Sequence, residues 1–490
     1  MGMIKKKERF EKKTYVFTSA QKMPCERNVK KLLRLFPERS QLIKSGMGRP
    51  NKTLIHGLEK YCETNDAKLN IISINGMNIY DEKLHPFFES RKDVFPSEYV
   101  KGNLNENVVF ANILVPPQNM DPSTSRERHV RADQTTIFAH SKQRLKSIAS
   151  GNISHPKLLI TTGMCTTPNY DFSNHKGDLA MKEYMLGAVV VEVIDDIYFN
   201  VRHVRSLKNG TFIDMGNVFR GNAEIGKAKI EALVLGDIHL GDDDKETMQA
   251  NYQMIQFFKP QRLFLHDFVN GHSVNPHERK NVIERARAFK KGRLSIEEEL
   301  KNANKEINKF ARYMKGGEVN VVYSNHGFFV DRYLERGEFL KNEPWNVEIA
   351  LKLSYALLKN ENPVEVGIKM MGSVRSNVNF LPLRCDYKVE GWQLASHGHK
   401  GTSGTRGSVK SREEADGKSI TGHTHAPEIL RNTIIVGTST KLDLPYTDGG
   451  ASRWVAANAV LYKGGLFQLL PIINGKWRKK ERKYKSRRQS

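Results

Sequence analysis

The sequence predicts an α/β protein with a layered C-terminal half, preceded by an α+β N-terminal part. Short apolar runs of strand length recur along the chain, and amphipathic helical stripes alternate with them after residue 230. Several of the later runs end on Asp, Asn or His. At 490 residues and 39% apolar content the chain exceeds what one core organises. That predicts an accessory domain over 1–228, a second domain over 229–474 and a basic tail over 475–490.

In the first part, Val29, Leu32, Leu33 and Phe36 recur at helical spacing. Residues 69–74, 108–115 and 157–161 read as strands, 137–148 as an amphipathic helix, and 116–134 as a surface loop. Residues 187–193 and 197–204, parted by Asp195 and Asp196, read as a hairpin. In the second part, 232–235 is a strand, and Met248, Tyr252, Ile255 and Phe258 then share a helical face. A strand at 262–265 precedes Ser295 and Glu298, a capping box for the stripe Ile296, Leu300, Ala303, Ile307, Phe310 and Met314. Strands at 319–323, 393–396, 419–421 and 433–436 complete the set. Residues 400–418, rich in Gly, Ser, Lys and Arg, read as a mobile basic loop.

The net charge of +24, from 78 Lys plus Arg against 54 Asp plus Glu, makes a polyanion the natural partner. The tail from Lys476 to Arg488 concentrates that charge with Trp477 and Tyr484 interleaved. Cys25, Cys62, Cys165 and Cys385 are too far apart for a zinc ribbon or a disulfide framework, which points to a reducing cytoplasm. No apolar run approaches the ~20 residues that span a bilayer, so no membrane partner is expected.

The chemistry-bearing pattern lies at the strand ends. Five segments follow one another: Leu235-Gly236-Asp237-Ile238-His239, Leu265-His266-Asp267-Phe268-Val269-Asn270, Tyr323-Ser324-Asn325-His326-Gly327, Ser396-His397-Gly398-His399 and Thr421-Gly422-His423-Thr424-His425. Singly each is weak, because a lone His at a strand end is more often a hydrogen-bonded structural residue and Asp there a turn former. In series, at the carboxyl ends where open α/β sheets gather ligands, they point to a metal site.

The series resembles the calcineurin-like metallophosphoesterases, including their SbcD-like nuclease branch, whose motifs run D-x-H, G-D-x-x-[DN], G-N-H-[DE], H and G-H-x-H over about 210 residues here. The resemblance implies a four-layer α/β/β/α sandwich. It also implies that Asp237, His239 and His425 hold one metal, Asn325, His397 and His423 the other, with Asp267 bridging and His326 facing the scissile phosphate. A bridging carboxylate offsets the repulsion of two cations. Imidazoles and carboxylates without thiolates suit two divalent ions, Mn2+ first, with Fe, Zn, Co or Mg as alternatives. His326, if protonated, could stabilise the phosphorane-like charge or protonate the leaving oxygen.

Two departures from the family pattern stand out. Gly327 replaces the carboxylate that normally orients the histidine, leaving Asp331 as the candidate substitute, and His266 and Ser324 replace glycines. His399 competes with His397 as ligand, and His272 and His277 either touch substrate or are solvated. Asp242, Asp243 and Asp244 read as a helix N-terminus.

Charge selects the substrate class: Lys400, Arg406, Lys410 and Arg412 beside the ligand strands, with Lys479, Lys480, Arg482 and Lys483 in the tail, favour DNA. Residues 137–144, 157–163 and 187–192 also resemble the pre-early DNases with which some large tailed coliphages degrade host DNA. The expectation is a metal-dependent DNase of little sequence preference, acting in a host bacterial cytoplasm, with a homo-oligomer compatible. Rival readings are a phosphoprotein or small-molecule phosphatase, a cyclic-nucleotide phosphodiesterase, and a non-catalytic DNA-binding protein.

Overall fold

A computed structural model describes residues 13–76, 83–130, 134–151, 154–276, 281–341, 343–444 and 450–479. The order of strands in its six-stranded sheet is Val378–Phe380, Glu318–Val321, Arg262–Leu265, Ile230–Val234, Ala457–Tyr462 and Phe467–Pro471. The first four are parallel and the last two antiparallel. Period-two alternation explains how so apolar a run as residues 230–235 is used on both faces. Leu233 and Leu235 pack with the helices Lys245–Phe258, Ile296–Tyr313 and Val347–Leu358, while Ala232 and Val234 pack against a second sheet. Ser295 caps the helix Ile296–Tyr313 as its spacing predicts, accepting from the Glu298 N–H at 3.2 Å.

The second sheet has ten strands, and it draws them from both sides of residue 228. Trp392–Gln393, Ser419–Thr421, Thr433–Ile435 and Glu428–Leu430 come from the C-terminal part. Arg144–Ser147 then pairs antiparallel with Glu428–Leu430 and continues the sheet into Leu158–Thr161, Thr135–Phe138 and Val108–Phe110. A buried Arg144 staples that seam. Its guanidinium reaches Asp121 Oδ1 at 3.0 Å, Glu428 Oε1 at 2.5 Å and the Ile429 carbonyl at 2.9 Å. The helix Val409–Asp416 packs against Ser419–Thr421 and Thr433–Ile435, so the layers run helices, sheet, sheet, helix. The hairpin expected at 187–204 forms as Gly187–Val193 paired with Phe199–Arg205, in a separate five-stranded sheet.

Three local expectations are corrected. Residues 137–148 are not a helix: they span the end of Thr135–Phe138, a turn and Arg144–Ser147. Both strands flank Leu158–Thr161 in the sheet, so long-range pairing overrides a spacing that suited either structure. The strand expected at 108–115 stops at Phe110. The expected mobile loop at 400–418 contains the helix Val409–Asp416, capped by a reciprocal Ser408–Ser411 box. Among the described residues, no helix is long and apolar enough to cross a membrane.

Candidate metal centre

All five segments converge. Asp237, His239, Asp267 and His425 place one donor atom each within 4.8 Å of one another, and so do Asp267, His397 and His423. Asp267 belongs to both groups. Its Oδ2 lies 3.4 Å from His239 Nε2 and 3.0 Å from His397 Nε2. Asp267 Oδ1 and Asp237 Oδ1 are buried without a hydrogen-bond donor among the described residues. Buried carboxylate oxygens without donors are costly unless they coordinate a cation, so this donor set fits divalent metals.

The backbone supports the same reading. His239, Asp267, His423 and His425 have φ of +47°, +41°, +80° and +58°, left-handed values that cost about 1–3 kcal/mol each for non-glycine residues. Such strain persists only where the surroundings over-determine it, and here it turns four ligand-type side chains into the two donor groups. Gly422 is required nearby, because a Cβ there would stand 2.0 Å from Asp237 Oδ1. The same turn lets the His423 N–H donate to Asp237 Oδ2 at 2.6 Å.

Asn270 fixes the tautomer of His239. Its Nδ2 donates to Asp242 Oδ2 at 2.9 Å, which leaves its Oδ1 to face His239 Nδ1 at 3.2 Å. An Nδ1–H donated to that oxygen frees the His239 Nε2 lone pair for a metal. Burial pushes the His239 and His423 imidazoles down to about 3, so both are neutral. Burial alone would raise the Asp267 carboxyl, but the His397 imidazole beside it holds it well below the usual carboxylate range. Asn325 Oδ1 sits 3.1 Å from His423 Nδ1, which brings the last of the expected ligands to the group.

Several assignments change. Asp331 is not the partner of His326: its Oδ2 accepts from the Tyr323 hydroxyl at 2.6 Å, while His326 Nδ1 faces the Asn270 carbonyl. The His326 ring remains at the centre, 4.5 Å from that of His239. Asp244 caps a helix as expected, but Asp242 joins the site's support, pairing with His272 Nε2 at 2.9 Å and Arg293 Nη1 at 3.0 Å. Sequence reasoning gave Asn270 no role, although its place in the D-x-x-[DN] pattern was the signal. His266 stands among the donors, buried and 3.3 Å from His397 through their Nδ1 atoms. His399 lies farther out, its ring 6.1 Å from that of His423. His277 lies outside the described residues.

Arg412 is not a surface contact. It is fully buried, donating to Thr421 Oγ1 at 2.9 Å and the Gly422 carbonyl at 3.1 Å, and so fixes the ligand loop. Lys400, Arg406 and Lys410 are exposed beside it. The Lys479 N–H donates to Glu192 Oε2 at 3.0 Å, and Lys480, Arg482 and Lys483 lie outside the described residues.

The chain is thus a mixed α/β protein with a buried Asp and His cluster able to hold metal ions. No family model matches it. It is 27% identical to Protein A1 of Escherichia phage T5 over 455 residues, spanning 87% of this chain and 80% of that protein. Among solved structures, Vps29 of Chaetomium thermophilum matches 42% of this chain and 92% of its own at 14% identity, with a TM-score of 0.20. A score that low does not define a shared fold.

Proposed function

We propose that this protein is a metal-dependent DNA phosphodiesterase of the calcineurin-like, SbcD-like type, with two divalent ions, Mn2+ first, held on either side of Asp267. The observation that supports it best is the sharing of Asp267 by two donor groups. Asp237, His239 and His425 would complete one position, and Asn325, His397 and His423 the other. Bound there, the ions would supply a hydroxide at neutral pH and neutralise charge on the scissile phosphate. Asp242 and Asn270 hold His239 in the ligating tautomer. His326, whose Nδ1 faces a backbone carbonyl and whose ring stands edge-on to His239, would carry a proton to the leaving oxygen.

DNA is favoured over a small diester or a phosphoprotein because the net charge is +24 and exposed Lys400, Arg406 and Lys410 adjoin the ligand loop. The likeness to a phage protein supports a phage origin and action in the host bacterial cytoplasm. The test is incubation with linear and circular DNA in Mn2+ and in EDTA. Cleavage with Mn2+ that EDTA stops is the expected result. Tight, salt-sensitive binding without cleavage would mean a DNA-binding protein, and hydrolysis of phosphopeptides with DNA spared would mean a phosphatase.

A further inference from the structure

A cavity of about 610 Å³, roomy enough for one nucleotide, opens where the carboxyl ends of the helices Lys245–Phe258 and Ile296–Tyr313 meet the turns into the strands Arg262–Leu265 and Glu318–Val321. Asp267 and Asn325 follow the far ends of those strands, so at least ~13 Å of extended chain separates the cavity from the metal centre. Ile255, Pro260 and half-buried Tyr313 wall it, and its charged lining is Lys259, Arg312 and Lys315, all exposed, with no carboxylate. Cations at helix carboxyl ends ordinarily cap the last carbonyls or complement the dipole. The side chains of these three make no hydrogen bond or ion pair among the described residues. Glu306, whose carboxyl senses Arg312, is paired with Lys309 at 3.5 Å.

The backbone around the cavity is fixed. A Cβ on Gly317 would stand 2.8 Å from the Gln261 carbonyl oxygen, to which the Glu318 N–H donates at 3.0 Å, so the two turns lie in contact. Lys259 caps its helix at φ +48°, a left-handed position that glycine fills without strain. Lysine there adds a cation to the cavity at a conformational cost. An occupant that complements three unpaired cations is an anion, and it comes from outside the chain, because residues 1–12 and 480–490, the ends beyond the described residues, are both basic. The basic tail starts on the same helix end: Trp477 packs against Phe258, and the Arg478 guanidinium lies 4.1 Å over the ring of Phe257, next in the chain to the cavity-lining Gln256. An anion that extends from the cavity onto that basic face is a polyanion of repeating phosphates.

We propose that this cavity is a second nucleic-acid site, which seats the phosphate of one nucleotide on Lys259, Arg312 and Lys315 and holds a strand away from the metal centre. Phosphate contacts of this kind fix the position of a strand without reading its sequence. The site uses no metal, so it goes beyond the phosphodiesterase reading and stands or falls separately from it.

The test is binding by the full-length protein in EDTA, read by fluorescence anisotropy with a labelled oligothymidylate and by equilibrium dialysis with dAMP and with adenosine. Lys259→Gly lowers oligothymidylate affinity by about ten- to a hundredfold, the loss of a hydrogen bond to a charged group, and reduces the salt slope of binding by about 1. It does so without lowering the melting temperature, because glycine suits the left-handed cap. Gln256→Trp, which fills the cavity and leaves the charge unchanged, weakens the same strand. dAMP binds and is lost in both variants, whereas adenosine, without a phosphate, does not bind. Loss of dAMP alone with strand binding intact overturns the strand assignment in favour of a free nucleotide. Strand affinity that falls in Lys259→Gly but not in Gln256→Trp marks a general charge effect, and it overturns the site, as do unchanged affinities in both variants. Mn2+-dependent cleavage is scored separately, and its absence would strike the phosphodiesterase reading alone.

Discussion

His239 and His425 bring the same ring atom, Nε2, to 3.0 Å of one another. With the His239 proton placed on Nδ1 by Asn270, its Nε2 offers a lone pair. His425 Nδ1 meanwhile has no partner among the described residues. Asp237 Oδ2 lies 3.2 Å from His425 Nε2 and can accept its proton. With that proton released, the two ring nitrogens and the carboxylate oxygen form a three-donor set of the kind that holds a divalent cation.

The chain Asp242 to Asn270 to His239 makes Asn270 a positioning residue. Asn270→Ala is expected to weaken Mn2+ binding by about ten- to a hundredfold, as loss of an outer partner of a metal histidine does. Calorimetric titration of Mn2+ into metal-stripped protein reads it. Unchanged affinity would show that His239 needs no such support.

Asp331 and His326 separate in function, because Asp331 holds Tyr323 and not the imidazole. His326→Gln should lower kcat on DNA by about 10²- to 10⁴-fold with metal content retained, the span of a lost general acid. Asp331→Asn should leave kcat near wild type and lower the melting temperature. Steady-state kinetics and thermal melts on both variants decide, and equal kcat losses would return Asp331 to the catalytic group.

Arg412→Ala should cost stability, about 3 kcal/mol or more, by opening a cavity and stripping hydrogen bonds from the Gly422 loop. It should leave the salt dependence of DNA binding unchanged, whereas replacing Lys400, Arg406 and Lys410 together should flatten it. Urea unfolding and salt-dependent binding curves give the two readouts.

Asp121 provides a pH signature of the seam. Burial would raise its carboxyl, but the Arg144 guanidinium and the Ser123 hydrogen bonds hold it at about 2. A depressed folded value means its stabilisation is complete above the ordinary aspartate range and fades as pH falls toward about 2. Asp121→Asn should therefore be less stable than wild type by about 2 kcal/mol near neutrality, with the gap closing as the solution is acidified through that window. Denaturant midpoints of both proteins from pH 6 downward measure it, and a gap that stays constant would exclude the pair as its source.

The ligand series was legible because each member follows a short apolar run, and the parallel strands of the two packed sheets deliver such residues at their carboxyl ends. What supports the ligands was harder to see. The role of Asp242 depends on Asn270 and Arg293 arriving from other loops, and one acidic residue in a run reads as a cap until those neighbours are known. Arg412 counted as surface charge because nothing in a Gly- and Lys-rich stretch announces that one arginine turns inward to bind the Gly422 carbonyl. Residues 137–148 were misread because Ile137 and Leu145 fit a helical stripe as well as two strands. Only the pairing of Leu145 with Ile429, far along the chain, separates the two. That same pairing carries the ten-stranded sheet across residue 228, which composition alone divides.

The sharing of Asp267 is tested most directly by anomalous diffraction at the manganese edge from crystals grown in Mn2+. The account predicts two peaks roughly 4 Å apart, one on each side of the Asp267 carboxylate. A single peak, or manganese bound away from Asp267, would contradict it.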